Sequence, residues 1–199
     1  MIIKKIVSLC KDAGVFNIID DYRGDVQWLG NGEAYYPLEG CPIFDEDSFC
    51  TVFDISDKKR EKLVLARHVG LDVLKGATPY EAPYEAEYRP MDVVGLPGVG
   101  GMMALTNGAK LLFIPSAYIE PLEMSLSELT FWERRDDSGS VYVLIRRGIV
   151  TAALVWARDI LSERYVQSLR HYTQLCSGEV VEAEPEGERM RLEEDGDEQ

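Results

Sequence analysis

The stretch VQWLGNGEAYYPL, residues 26–38, decides how this chain is read. Two short runs of apolar and aromatic residues, 26–29 and 34–38, stand on either side of Asn31-Gly32. Asn and Gly both tolerate a positive φ. An Asn-Gly pair between such runs therefore signals a tight antiparallel hairpin. The same signal recurs at Asn107-Gly108, between 102–105 and 110–114. Two hairpins on this plan argue for antiparallel sheet, not for strands alternating with long helices.

Upstream of the first hairpin, Ile2, Ile3, Ile6, Val7, Leu9 and Cys10 recur at helical spacing, and Gly14 suits the residue just past a helix end. A short strand at 15–19 and a turn at 20–24 follow. Residues 45–53, with acids in the first turn, predict a short helix. Ser56-Asp57 opens a second, polar one. Residues 70–101 hold Pro79, Pro83, Pro90 and Pro97 with several glycines, and predict an irregular connector or a hairpin insertion. Beyond the second hairpin, the expectation is a helix at 117–123, strands at 129–133, 141–145 and 149–156, and a last helix over 159–176. Its apolar stripe would be Ile160, Leu161, Tyr165, Val166, Leu169 and Tyr172. The predicted fold class is α+β, with two helix-plus-antiparallel-meander halves at 1–69 and 102–176, the connector 70–101, and a disordered acidic tail at 177–199.

The charge supports that tail. The chain of 199 residues carries −14, of which ten acids and two arginines place −8 from Ser177 onward, leaving −6 for residues 1–176. So acidic and apolar-poor a segment cannot offset the entropy of ordering. No apolar run approaches the ~18 residues of a membrane span. The first residues lack the apolar core and cleavage site of a secretory signal, so a cytoplasmic setting is expected, with no membrane partner.

Cysteines 10, 41, 50 and 176 form no C-x-x-C pair, and with only His68 and His171 they predict neither disulfides nor zinc. Residues 93–101, VVGLPGVGG, have the wrong glycine spacing for a dinucleotide loop, and no Walker lysine follows. Asp20-Asp21, Asp45-Glu46-Asp47 and Asp136-Asp137 sit where turns and helix starts favour acids, without the spacing of a calcium loop. No serine stands in G-x-S-x-G. No catalytic, cofactor or metal residue is therefore assigned. The candidate partner-binding residues are basic: Lys58, Lys59, Arg60 and Lys62 in one run, and Arg134, Arg135, Arg146 and Arg147 in the second half.

Residues 26–38 and LFIPSAYIEPL at 112–122, with MIIKKIVSLC at 1–10 and WERR at 132–135, resemble an uncharacterised protein family encoded in prophages and mobile elements of Gram-positive gut bacteria. That resemblance implies a phage context in a bacterial host cytoplasm, but no activity. The order strand, helix, three strands across 111–156 is also similar to the half-domain of DNA sliding clamps, although the clamp-like helix 117–123 carries Glu120 and Glu123 and no basic residue. The expected function is a non-catalytic, phage- or mobile-element-encoded protein-interaction module, with possible self-association. The alternatives are a replication accessory protein with a clamp-like fold, or an acidic imitation of DNA that inhibits a host defence protein. Nucleic-acid contact is left open.

Overall fold

The computed structural model describes residues 2–80, 85–96, 100–161 and 163–177. In chain order these form α1 (Ile3–Ala13), β1 (Val15–Asp21), β2 (Val26–Gly30), β3 (Ala34–Pro37), α2 (Glu46–Val52), α3 (Asp57–Arg60), β4 (Val64–Val69), β5 (Ala86–Leu96), β6 (Gly100–Thr106), β7 (Leu111–Pro115), β8 (Leu129–Arg135), β9 (Val141–Arg147), β10 (Val150–Trp156) and α4 (Glu163–Ser177). The chain divides into two units, residues 1–159 and 160–199.

Ten strands of the first unit form one sheet in the order β4-β1-β2-β3-β10-β9-β8-β5-β6-β7. Every pairing among the described residues is antiparallel except β1 with β4. A parallel pair needs a long crossover, and the hairpin, α2 and α3 lie within it. Both Asn-Gly hairpins form where expected. Asn31 Oδ1 accepts from the Glu33 and Ala34 amides at 3.1 and 2.9 Å. Asn107 Oδ1 does the same for Ala109 and Lys110 at 3.0 and 2.8 Å. Gly32 and Gly108 supply the positive φ, 95° and 88°.

Burial splits the sheet's two faces. On the inner face Ile6, Val7 and Cys10 of α1 and Phe49 of α2 pack with Ile18, Tyr36, Tyr88, Leu105, Phe131, Ile145 and Val155. The outer face has a smaller core of Ile19, Trp28, Tyr35, Tyr142, Leu144 and Leu154, covered by Leu74 and Ala77. Alternation along the strands is what sends successive residues to the two cores. Gly14 ends α1 with φ 71° and its amide on the Cys10 and Lys11 carbonyls. Asp45 caps α2 by accepting from the Ser48 amide at 2.8 Å.

Several expectations change. Whether the two meanders share a sheet was open in the sequence; they form one sheet, joined through β3 and β10 at Tyr35–Leu154 and Ala34–Val155. The segment expected as an irregular connector or a hairpin insertion holds a 3-10 turn, Leu71–Leu74, all of β5 and the start of β6, which pair antiparallel as a hairpin. The expected helix at 117–123 is two 3-10 turns, Ser116–Tyr118 and Glu120–Leu122. Pro121 cannot donate a helical bond, and Tyr118, Pro121 and Leu122 are buried. In the second unit, α4 begins four residues later than expected. Tyr172 of its expected apolar stripe is exposed, and the side chains of Tyr165 and Leu169 lie outside the described residues. The expected disordered tail also lies outside them, apart from Ser177, which ends α4. No helix among the described residues is long and apolar enough to cross a membrane.

Candidate functional site

The eight candidate basic residues do not form one patch. Lys58, Lys59 and Arg60 lie on α3, which precedes the edge strand β4, while the four arginines lie on β8 and β9. Arg60 is held by Glu46 and Asp47, both at 2.7 Å. Lys58, Lys59 and Lys62 make no side-chain ion pair or hydrogen bond among the described residues. Arg134 is 3% exposed and bound to the Glu85 carboxylate and, at 2.7 Å, to the Thr78 carbonyl. Arg146 reaches the same carboxylate with both terminal nitrogens at 3.3 Å, and its guanidinium lies over the Trp132 ring. Glu85 is thus shared by the buried Arg134 and the half-buried Arg146, a structural role that offsets part of their charge. Arg135 contacts Glu133 at 3.6 Å and donates to the Gly139 carbonyl. Arg147 is exposed and makes no such pair among the described residues.

The acidic pairs are likewise used locally. Asp20 accepts from Gln27 at 2.7 Å and from Arg67 at 2.8 Å. Asp21 accepts from Tyr80 at 2.6 Å and from the Arg23 amide. Burial, together with the bond to Asp21, raises the Tyr80 hydroxyl above its ordinary value. Asp136 closes its turn by accepting from Ser138 and Ser140, and those bonds hold its carboxyl below the ordinary range. His68 Nε2 meets Asn17 Oδ1 at 3.2 Å. Burial pushes the Cys10 thiol up to about 12, which keeps it protonated and unreactive near neutral pH. Among the described residues no group of three or more His, Cys, Asp or Glu side chains could hold a metal.

The feature that stands apart is an opening in the middle of the sheet, and the sequence explains it. The Leu38 amide donates to Gln27 on β2, and the Trp156 amide donates to Glu33. Odd-numbered residues of β3 therefore face β10. Tyr35 makes the last pair, with Leu154. The next position facing β10 is Pro37, which has no N–H to give. On the other side β10 carries a bulge between Thr151 and Ala153. After Pro37 the chain is drawn away by Gln27. Its buried amide donates to the Phe44 carbonyl and accepts from the Phe44 amide, both at 2.8 Å. β3 and the start of β10 consequently separate.

Two cavities flank the opening. The outer one, about 400 Å³, is lined by Asp21, Val26, Trp28, Pro79, Tyr80 and Arg146, among others. The inner one, about 180 Å³, is lined by Ile3, Leu122, Met124, Arg147 and Ala152. Pro37, Glu39, Val150 and Thr151 line both. The inner lining continues the inner core, and Val26 and Trp28 belong to the outer one. The cavities thus lie on opposite faces of the sheet. Thr151 Oγ1 donates to the Pro79 carbonyl at 2.8 Å and holds the outer wall in place. At the tip of the β9–β10 hairpin, Ile149 is 98% exposed. Glu39 and Arg147 carry no ion pair among the described residues, and the Glu39 amide finds no protein acceptor there.

Of the eight candidate residues, only Arg146 and Arg147 line this cleft, one in each cavity, as successive residues of a strand must. Pro37, Glu39, Trp28, Met124 and Thr151 escaped the sequence reading. Pro37 was the available signal, since a proline inside a strand marks an edge or a break in pairing. No protein-family model matches the chain, and neither the curated proteins nor the solved structures compared with it give a match.

Proposed function

We propose that this chain is a non-catalytic protein-interaction module that receives a segment of a partner protein in the cleft between β3 and β10. The observation that carries this reading is the pair of cavities sharing Pro37, Glu39, Val150 and Thr151 across an opened sheet. Clefts with an apolar lining and a few uncommitted polar groups are where proteins bind smaller ligands and chain segments. A phage or mobile-element setting, implied by the resemblance of residues 26–38 and 112–122, makes a host cytoplasmic protein the natural partner. A clamp-like use of the fold has less support, because the segment 116–122 packs as buried 3-10 turns.

The test is selection of a displayed random 12-residue peptide library on the full chain. Ala152→Trp, which fills the inner cavity, serves as the blocked control. The expected result is enriched peptides that bind the natural chain and lose at least tenfold in affinity on Ala152→Trp. They should bind Val64→Lys, a change on the β4 edge, as well as the natural chain. Enrichment of nothing sensitive to Ala152→Trp would overturn the reading.

A further inference from the structure

Resting on the reading of the cleft as a peptide site, we infer that it binds an extended, basic segment by strand addition. A large apolar side chain would enter the inner cavity, and the lysine or arginine next to it in sequence the outer one.

The first argument is geometric. Consecutive side chains of an extended chain point to opposite faces of a sheet. The cavities lie on opposite faces of one opening and share four lining residues, so neighbouring residues of an inserted segment reach both. Residues two apart would reach only one. The Glu39 amide, without a protein acceptor among the described residues, stands at the lip as a donor for the incoming backbone.

The second argument is chemical. Ile3, Leu122, Met124, Val150 and Ala152 give the inner cavity an apolar lining, and about 180 Å³ admits one large aliphatic or aromatic side chain. Arg147 at its wall disfavours a second cation there. In the outer cavity the charges are Asp21, Glu39 and Arg146. Arg146 shares the Glu85 carboxylate with the buried Arg134, and Asp21 is engaged by neutral donors, the Tyr80 hydroxyl and the Arg23 amide. The Glu39 carboxylate has no partner among the described residues. Two acids against one arginine leave the lining of the outer cavity negative. Trp28, Pro37, Pro79 and Val150 offer apolar surface for the methylene stem of a long cationic side chain. A net charge of −14 steers a basic segment toward the chain in the same sense.

The experiment uses capped hexapeptides of alanine carrying a central Leu-Lys, Leu-Ala or Leu-Gly-Lys, titrated against the full chain by calorimetry. Hydrogen exchange is followed at the Glu39 amide. Leu-Lys is expected to bind at least tenfold more tightly than Leu-Gly-Lys and to protect the Glu39 amide. Glu39→Gln, a change at an exposed side chain, should weaken Leu-Lys about fivefold and leave Leu-Ala unchanged. Equal binding of Leu-Lys and Leu-Gly-Lys, or Leu-Lys binding indifferent to Glu39→Gln, would overturn the inference. If the selected 12-residue peptides are sensitive to Ala152→Trp but show no apolar-basic neighbours, the interaction reading survives and this deeper one fails. If no selected peptide is sensitive to Ala152→Trp, both fail.

Discussion

Pro37 and Pro90 both stand where strand pairing stops inside the sheet, and the two stops have opposite consequences. At Pro37 the pairing of β3 with β10 ends and a cleft opens. At Pro90, β5 has just left β8, with which it pairs over residues 86–88 among the described residues. There β5 runs on against β6 through a bulge between Pro90 and Val93, and Tyr88, Met103 and Leu105 stay buried. A missing N–H is the same loss in both places. What differs is the chain beyond it. After Pro90 the strand keeps a partner and merely bends. After Pro37 it is pulled off by Gln27 toward Phe44, and β10 has nothing to replace it. A proline in a sheet therefore makes a hinge or an opening according to where the following residues find their hydrogen bonds.

Substitutions can press on that contrast. The largest effect is expected at the closed break. Phe131→Ala, fully buried on β8 opposite Tyr88, should cost about 4 kcal/mol in denaturant unfolding, because it removes a large side chain from the enclosed core. Next comes Glu85→Ala, which strands the buried Arg134 and frees Arg146. A loss of about 3 kcal/mol is expected in the same measurement, and Arg134→Met on the Glu85→Ala background should recover part of it. At the open break the effects are smaller. Thr151→Val removes the bond to the Pro79 carbonyl and should cost about 1 kcal/mol, with weaker binding of the selected peptides.

Pro37→Val restores an N–H facing β10. Stability should change by less than about 1 kcal/mol. The new amide at position 37 should be protected in hydrogen exchange and peptide binding should fall, whereas Pro90→Val should leave binding unchanged. An unprotected amide there would place the cause of the cleft in the Gln27–Phe44 tether and not in the proline.

The smallest effect concerns acid. Burial raises the Glu33 carboxyl, but bonds from Arg158 at 2.5 Å and Tyr118 at 2.9 Å outweigh it, and the net shift is downward. A lowered carboxyl stabilises the fold above its unfolded value of 4.5, and that contribution is lost as pH falls through the lower folded value. The stability difference between the natural chain and Glu33→Gln should therefore be level above about pH 4.5 and shrink below it, as read from unfolding midpoints.

The hairpins at Asn31-Gly32 and Asn107-Gly108, the first helix ending at Gly14, the capped helix after Asp45 and the α+β class were legible in the residues. Each rests on contacts within a few positions along the chain. The buried 3-10 turns at 116–122, the bounds and partners of the strands inside 70–101 and the placement of β4 beside β1 were not. They depend on partners far along the chain, as Tyr118 depends on Asn31, Glu33 and Tyr36, 87, 85 and 82 residues before it. The basic residues show the same division. Their charges were plain in the sequence, but Glu85 pairs with Arg134 and Arg146, and Glu46 and Asp47 pair with Arg60. The candidate site lies at the far end of that scale. Pro37 dictates that one hydrogen bond is missing. Only the tertiary structure decides that the bond is missed opposite a bulge in β10, with Gln27 drawing the chain aside, so that a local deficit becomes a cleft open to both faces of the sheet.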